Sequence, residues 1–149
     1  FPEIINIARN TNNHMPNFSM SSLQKECAKS GIITKDQNCL ILGISYKKNI
    51  DDLRESPYFE VKKIADDIFN EVNVFDPYFI DLSSSKSLED LIKIANILII
   101  VTDHDYFIEY LSHLNFQETS IKLLFDGRNC IDPSVLPDNI IYKGIGRSK

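Results

Sequence analysis

From residue 39 onward, short unbroken runs of apolar residues alternate with stretches in which apolar residues recur every three or four positions. An unbroken run such as Cys39 to Ile44 or Ile97 to Val101 suits a strand buried on both faces, whereas the longer period marks a helix with one buried stripe. The pattern predicts strands at 39–44, 72–75, 97–101, 121–125 and 140–143, and helices at 57–70, 87–94 and 105–112. Helix 57–70 has the best support, because Val61, Ile64, Ala65 and Ile68 follow the i, i+3, i+4, i+7 spacing. Ser56 is placed to cap it, and Pro57 suits its first turn. The alternation implies βαβ units: an α/β, Rossmann-like three-layer sandwich with a mostly parallel sheet of about five strands.

Ahead of this lies a short helical segment. Two helices are expected, at 3–12 and 18–30, separated by Asn12-Asn13-His14-Met15-Pro16, because a proline disfavours helix in the residue before it. Gly31 ends the second, and the polar stretch 34–38 leads into the first strand. The expected division is therefore 1–33 and 34–149.

Composition narrows the class. With 149 residues, 43% apolar and 25% charged, the chain can build one ordinary domain with a real core. A net charge of −5 argues against a nucleic-acid partner, which needs a broad basic face. Any anionic ligand must then meet a few local cations. Cys27, Cys39 and Cys130 are odd in number and widely spaced, which favours neither a disulfide framework nor a metal site and suits a reducing cytoplasm. No apolar run reaches the length of a membrane span. The chain begins at Phe1 within an apparent helix, so a fragment of a longer protein is expected.

In an open parallel sheet, ligands bind beyond the carboxyl ends of the strands, where the strand order reverses. The residues there are Tyr46, Lys47 and Lys48 after the first strand, Asp76-Pro77 after the second, Thr102-Asp103-His104 after the third and Asp126-Gly127-Arg128 after the fourth. With strand order 3-2-1-4-5, Lys47 and Arg128 would flank the reversal, close to the start of helix 57–70, a reasonable site for a diphosphate. The bland alternatives stay open: Lys47 and Lys48 as solvated loop charges, and Arg54 paired with Asp51, Asp52 or Glu55. None of the five glycines forms a GxGxxG or phosphate-loop motif, so this is not the main dinucleotide binder. His104 reads as structural, in a loop that Asp103 or Asp105 caps into the next helix, and Cys39 as a core residue.

The stretch Gly43-Ile44-Ser45-Tyr46-Lys47, followed by Asp51-Asp52-Leu53-Arg54-Glu55-Ser56-Pro57, resembles the signature of the UDP-glucose and GDP-mannose dehydrogenase family. Further matches follow in order: Val74-Phe75-Asp76-Pro77-Tyr78, Val101-Thr102-Asp103-His104 and Phe125-Asp126-Gly127-Arg128-Asn129. Upstream, Ala8-Arg9 with Asn13 and Met15-Pro16 is similar to the end of that family's central helical segment, which helps build its dimer.

The resemblance implies the C-terminal, substrate-binding part of an NAD-dependent nucleotide-sugar 6-dehydrogenase. Tyr46, Lys47 and Arg128 would contact the nucleotide sugar, and Arg54 would reach NAD bound mainly by the preceding domain. No residue here inherits a catalytic role, since the family's catalytic lysine and cysteine belong upstream of Phe1, and no metal is implied. In the intact homodimer, two hydride transfers to NAD would take the C6 alcohol of a UDP-sugar to the uronic acid. The version of residues 49–57 is more similar to the branch acting on UDP-N-acetylhexosamines such as UDP-N-acetylmannosamine, with UDP-glucose the other candidate. A stand-alone, non-catalytic nucleotide-diphosphate-binding module of the same fold is the alternative reading.

Overall fold

The computed structural model describes residues 2–149. Helix α1 spans Pro2–Lys29, then β1 (Asn38–Leu42), α2 (Tyr58–Ile68), β2 (Glu71–Phe75), α3 (Leu88–Ile94), β3 (Ile97–Ile100), α4 (Asp105–His113), β4 (Leu123–Asp126), β5 (Ile141–Gly144) and β6 (Arg147–Ser148). The sheet order is β2-β1-β3-β4-β5-β6, with every pair parallel except β5 and β6.

Alternation along the strands divides the core into two layers. Cys39, Ile41, Ile97, Ile99, Leu123 and Phe125 face one side, where Val61 and Ala65 of α2 and Met20, Leu23 and Cys27 of α1 pack on them. Leu40, Leu42, Leu98, Ile100 and Leu124 face the other, against Leu88, Leu91 and Ile92 of α3 and Phe107 and Leu111 of α4. Helices thus cover both faces, which explains why the central strands read as unbroken apolar runs rather than alternating ones.

Three expectations need correction. The strand order is 2-1-3-4-5, not 3-2-1-4-5, so the reversal lies between β1 and β3. The two N-terminal helices are one, continuous through Pro16. A proline removes a single ladder bond at about 3 kcal/mol. Pro16, Met20, Leu23 and Cys27 fall on one stripe, and its burial against the sheet offsets that cost. Finally, Arg147–Ser148 adds an antiparallel edge strand after a two-residue turn in which Gly146 takes φ +72°, a signal too short to stand out in sequence.

Candidate functional site

The carboxyl ends of β1, β3 and β4 open into a cleft of about 1250 Å³. Tyr46 and Lys47 line it from the β1 loop, Gly127 and Arg128 from the β4 loop, Ser56, Pro57 and Glu60 from the start of α2, and Arg9, Asn12 and Asn13 from α1. Three of the four candidate ligand residues, Tyr46, Lys47 and Arg128, are therefore brought together although the assumed strand order was wrong. Arg128 reaches the cleft from one strand beyond the reversal, its Nε donating to Asp103 Oδ1 at 3.1 Å. Lys47 makes no ion pair among the described residues, and its Nζ stands 5.7 Å from the Tyr46 ring centroid. Lys48 instead pairs with Asp105 at 3.3 Å.

Arg54, the fourth candidate, does not line the cleft. Its side chain is 87% exposed and holds Asp52 in a two-pronged contact, Nε to Oδ1 at 2.9 Å and Nη2 to Oδ2 at 2.8 Å. These hydrogen bonds lower the Asp52 carboxyl to about 2.

Two buried strand-end carboxylates shape the loops. Asp76, fully buried at the end of β2, accepts at Oδ2 from the N–H groups of Ile44 (2.7 Å) and Ser45 (2.9 Å), the Ser45 hydroxyl (3.0 Å) and His104 Nε2 (3.0 Å), and at Oδ1 from Tyr78 N–H (2.8 Å). Burial would raise its pKa, but the His104 and backbone hydrogen bonds outweigh it and hold the carboxyl at about 2. Asp126, at the end of β4, accepts from Arg128 N–H (3.1 Å), Ile131 N–H (2.8 Å) and the Tyr142 hydroxyl (3.0 Å), tying down the loop that carries Arg128. Burial and the neighbouring Asp126 push the Tyr142 hydroxyl up to about 12.

The loops need unusual backbone. Asn49, Glu55 and Asn129 all take positive φ, at 61°, 57° and 54°, in the two segments that carry Lys47 and Arg128. Gly43, at φ +103°, ends β1 where a Cβ would lie 2.5 Å from Thr102 Cβ. The start of α2 departs slightly from expectation. Pro57 precedes its first residue without a side-chain cap, while the Ser56 hydroxyl accepts from Tyr58 N–H at 3.3 Å and donates to the Ile44 carbonyl at 2.6 Å.

His104 is completely buried, between β3 and α4, in contact with Tyr78 and Phe107. Neither Asp103 nor Asp105 caps α4 as expected; the Asp105 N–H is taken by Asn49 Oδ1 at 3.1 Å. Sequence reasoning also missed Arg9, Asn12 and Asn13 in the cleft, because a helix broken before Pro16 would not have carried them there. Burial raises Cys27 to about 11 and Cys130 to about 12, the latter also through Asp126, and Cys39 is raised by burial as well. Among the described residues no three His, Cys, Asp or Glu side chains gather as for a metal ion, and no helix is long and apolar enough to cross a membrane.

Residues 40–133 match the model of the UDP binding domain of the UDP-glucose/GDP-mannose dehydrogenase family. The chain is 33% identical over 144 residues to the UDP-N-acetyl-D-mannosamine dehydrogenase of Pyrococcus horikoshii, covering 97% of this chain and 34% of that protein. It is 28% identical over 118 residues to the UDP-N-acetyl-D-glucosamine 6-dehydrogenase of Salmonella typhi, covering 79% of this chain and 27% of that one. Among solved structures, the UDP-D-ManNAc dehydrogenase of P. horikoshii superposes with TM-score 0.80 at 32% identity, over 95% of this chain and 33% of that chain. This chain thus spans about a third of the length of the curated relatives it matches.

Proposed function

Because the chain belongs to the UDP-glucose/GDP-mannose dehydrogenase family, we propose that it is the nucleotide-sugar-binding part of an NAD-dependent UDP-sugar 6-dehydrogenase. In this reading residues 1–33 close the central helical segment and residues 34–149 form the binding domain. One observation carries it: Lys47, free of any ion pair among the described residues, shares a cleft with Arg128 and Tyr46 at the carboxyl ends of the strands.

Lys47 and Arg128 neutralise the diphosphate, with the first turn of α2 opening onto the same space. Tyr46, 37% exposed, offers a ring face and a hydroxyl to the rest of the nucleotide sugar. Asp103, bonded to Arg128 Nε, fixes the plane of that guanidinium and leaves its Nη groups for the ligand.

NAD, bound mainly by the preceding domain, would supply the hydride acceptor for oxidation at the sugar C6, and Arg54 would be the residue of this chain that reaches it. Arg54 fits a supporting role there: it stands outside the cleft, almost fully exposed, and its contact with Asp52 leaves further N–H groups directed to solvent for a phosphate. In this reading the catalytic cysteine comes from the rest of the enzyme, in keeping with the burial that raises Cys27, Cys39 and Cys130. The substrate is a UDP-N-acetylhexosamine, in keeping with the relatives from P. horikoshii and S. typhi. The intact enzyme works as a homodimer in the cytoplasm, supplying uronic acids for polysaccharide synthesis.

Titrating the purified, 15N-labelled chain with UDP, UDP-N-acetylmannosamine and GDP-mannose tests the site. UDP and its sugars should shift the amides of Tyr46, Lys47, Gly127 and Arg128, and Lys47→Ala should weaken binding about tenfold, the worth of one charge-assisted contact. Shifts confined to other residues, or binding indifferent to Lys47→Ala, would refute it.

A further inference from the structure

Tyr46, Lys47 and Lys48 lie between two anchors. Ahead of them, Ser45 is held by its N–H and hydroxyl on Asp76 Oδ2 and by its carbonyl, which accepts from Thr102 Oγ1 at 2.5 Å. Behind them, Asn49 sits at φ +61° with its N–H donating to His104 Nδ1 at 2.8 Å. Its side-chain amide closes on Asp105, Nδ2 donating to Oδ2 at 2.7 Å and Oδ1 accepting from the backbone N–H.

Among the described residues, His104 is the side chain that touches both anchors, because its Nε2 lies 3.0 Å from Asp76 Oδ2. Since Nδ1 accepts from Asn49, the ring proton must sit on Nε2 and be donated to Asp76. A flat, rigid ring with one donor and one acceptor therefore bridges the end of β2 and the far end of the β1 loop. It is buried completely and packed between Tyr78 and Phe107, with ring centroids 4.9 and 5.4 Å away.

We propose that His104 is a positioning residue for Lys47: it fixes the path of the loop so that a side chain with no ion pair among the described residues is delivered to the diphosphate. Loops set to better than about 1 Å need such supports behind the residues that touch the ligand. The imidazole is suited to this because it meets a donor on one side and an acceptor on the other without changing shape. A glutamine at this position can keep the bond to Asp76 through its NH2, but its amide oxygen does not then stand where the ring Nδ1 meets the Asn49 N–H. This inference rests on the nucleotide-diphosphate reading of the cleft.

The test is a double-mutant cycle in UDP affinity on the full chain, using wild type, His104→Gln, Lys47→Ala and the double variant, with urea stability measured in parallel. His104→Gln should lower affinity about tenfold, and Lys47→Ala should then add less than about twofold, since its contact has already been lost. If the wild type does not bind UDP, the nucleotide reading fails. If it binds and His104→Gln binds as tightly, or the two losses multiply, the positioning role alone is overturned. Should His104→Gln not fold, the wild type still decides. The Asn49 amide should show nitrogen–nitrogen coupling to His104 Nδ1 and exchange slowly with solvent. An Asn49 amide that exchanges as fast as that of exposed Asp51 overturns the proposal.

Discussion

Asp76→Asn keeps the size of the side chain and removes its charge, at a place where five donors converge on two oxygens. Asparagine has one oxygen. If that oxygen takes the Oδ2 position, the new NH2 faces the Tyr78 N–H, leaving two donors opposed in a buried site; the reverse orientation opposes four. Losing one bond to a charged acceptor and weakening four others costs about 3 kcal/mol. The ionisation expresses the same hydrogen bonds as a pH dependence. The folded carboxyl is held at about 2 against an ordinary 3.8, which at about 1.4 kcal/mol per pH unit comes to roughly 2 to 3 kcal/mol. The sign follows from the depressed pKa: this stability is fully present above about pH 4 and lost as pH falls from there toward 2. Urea unfolding followed by circular dichroism, at pH 7 and through the acid range, measures both. Wild type should lose its advantage over Asp76→Asn on acidification. A difference under about 1 kcal/mol at neutral pH, or two parallel acid profiles, would refute the assignment of Asp76 as the organiser of the β1 loop.

Gly43→Ala places a Cβ 2.5 Å from Thr102 Cβ and 2.7 Å from its backbone nitrogen at φ +103°, and should cost about 3 kcal/mol in urea unfolding; a change below about 1 kcal/mol would contradict the close approach of β1 and β3. Leu23→Ala, in the buried half of α1, should cost about 3 kcal/mol, whereas Ile7→Ala, 65% exposed, should change stability by less than about 0.5 kcal/mol. Equal effects would mean that α1 does not dock as described. The three thiols, all raised, should resist Ellman's reagent at pH 8 in the folded chain and react together on unfolding. Fast labelling of Cys27 or Cys39 in the native state would show its burial to be wrong.

Much of the fold is legible in the order of residues because the relevant signals are local. Four-residue apolar runs and the stripe Val61, Ile64, Ala65, Ile68 locate strands and helices without reference to anything distant. The residues that end each strand follow directly, so Tyr46, Lys47 and Arg128 could be nominated from spacing, and the motif from Gly43 to Pro57 attached a family to them. The strand order could not be read that way. Leu40–Leu42, Ile97–Ile100 and Leu123–Phe125 are equally apolar on both faces, so nothing local says which lies beside which.

The chemistry behind the cleft is likewise a product of register. Leu42 lies opposite both Phe75 and Ile100, and only that pairing brings Asp76, Ser45 and His104 together from three separate strand ends. The helix through Pro16 was settled by the burial of Met20, Leu23 and Cys27 on the sheet, a gain invisible to a rule about the residue before a proline. The sequence by itself determined the five parallel strands, the helices α2 to α4 and which side chains stand at the strand ends, since these depend on near neighbours. Which of those ends meet, and which buried groups hold Lys47 in place, only the tertiary structure decided, because the bonds join residues 28 to 57 positions apart whose partners exist only once the sheet has formed.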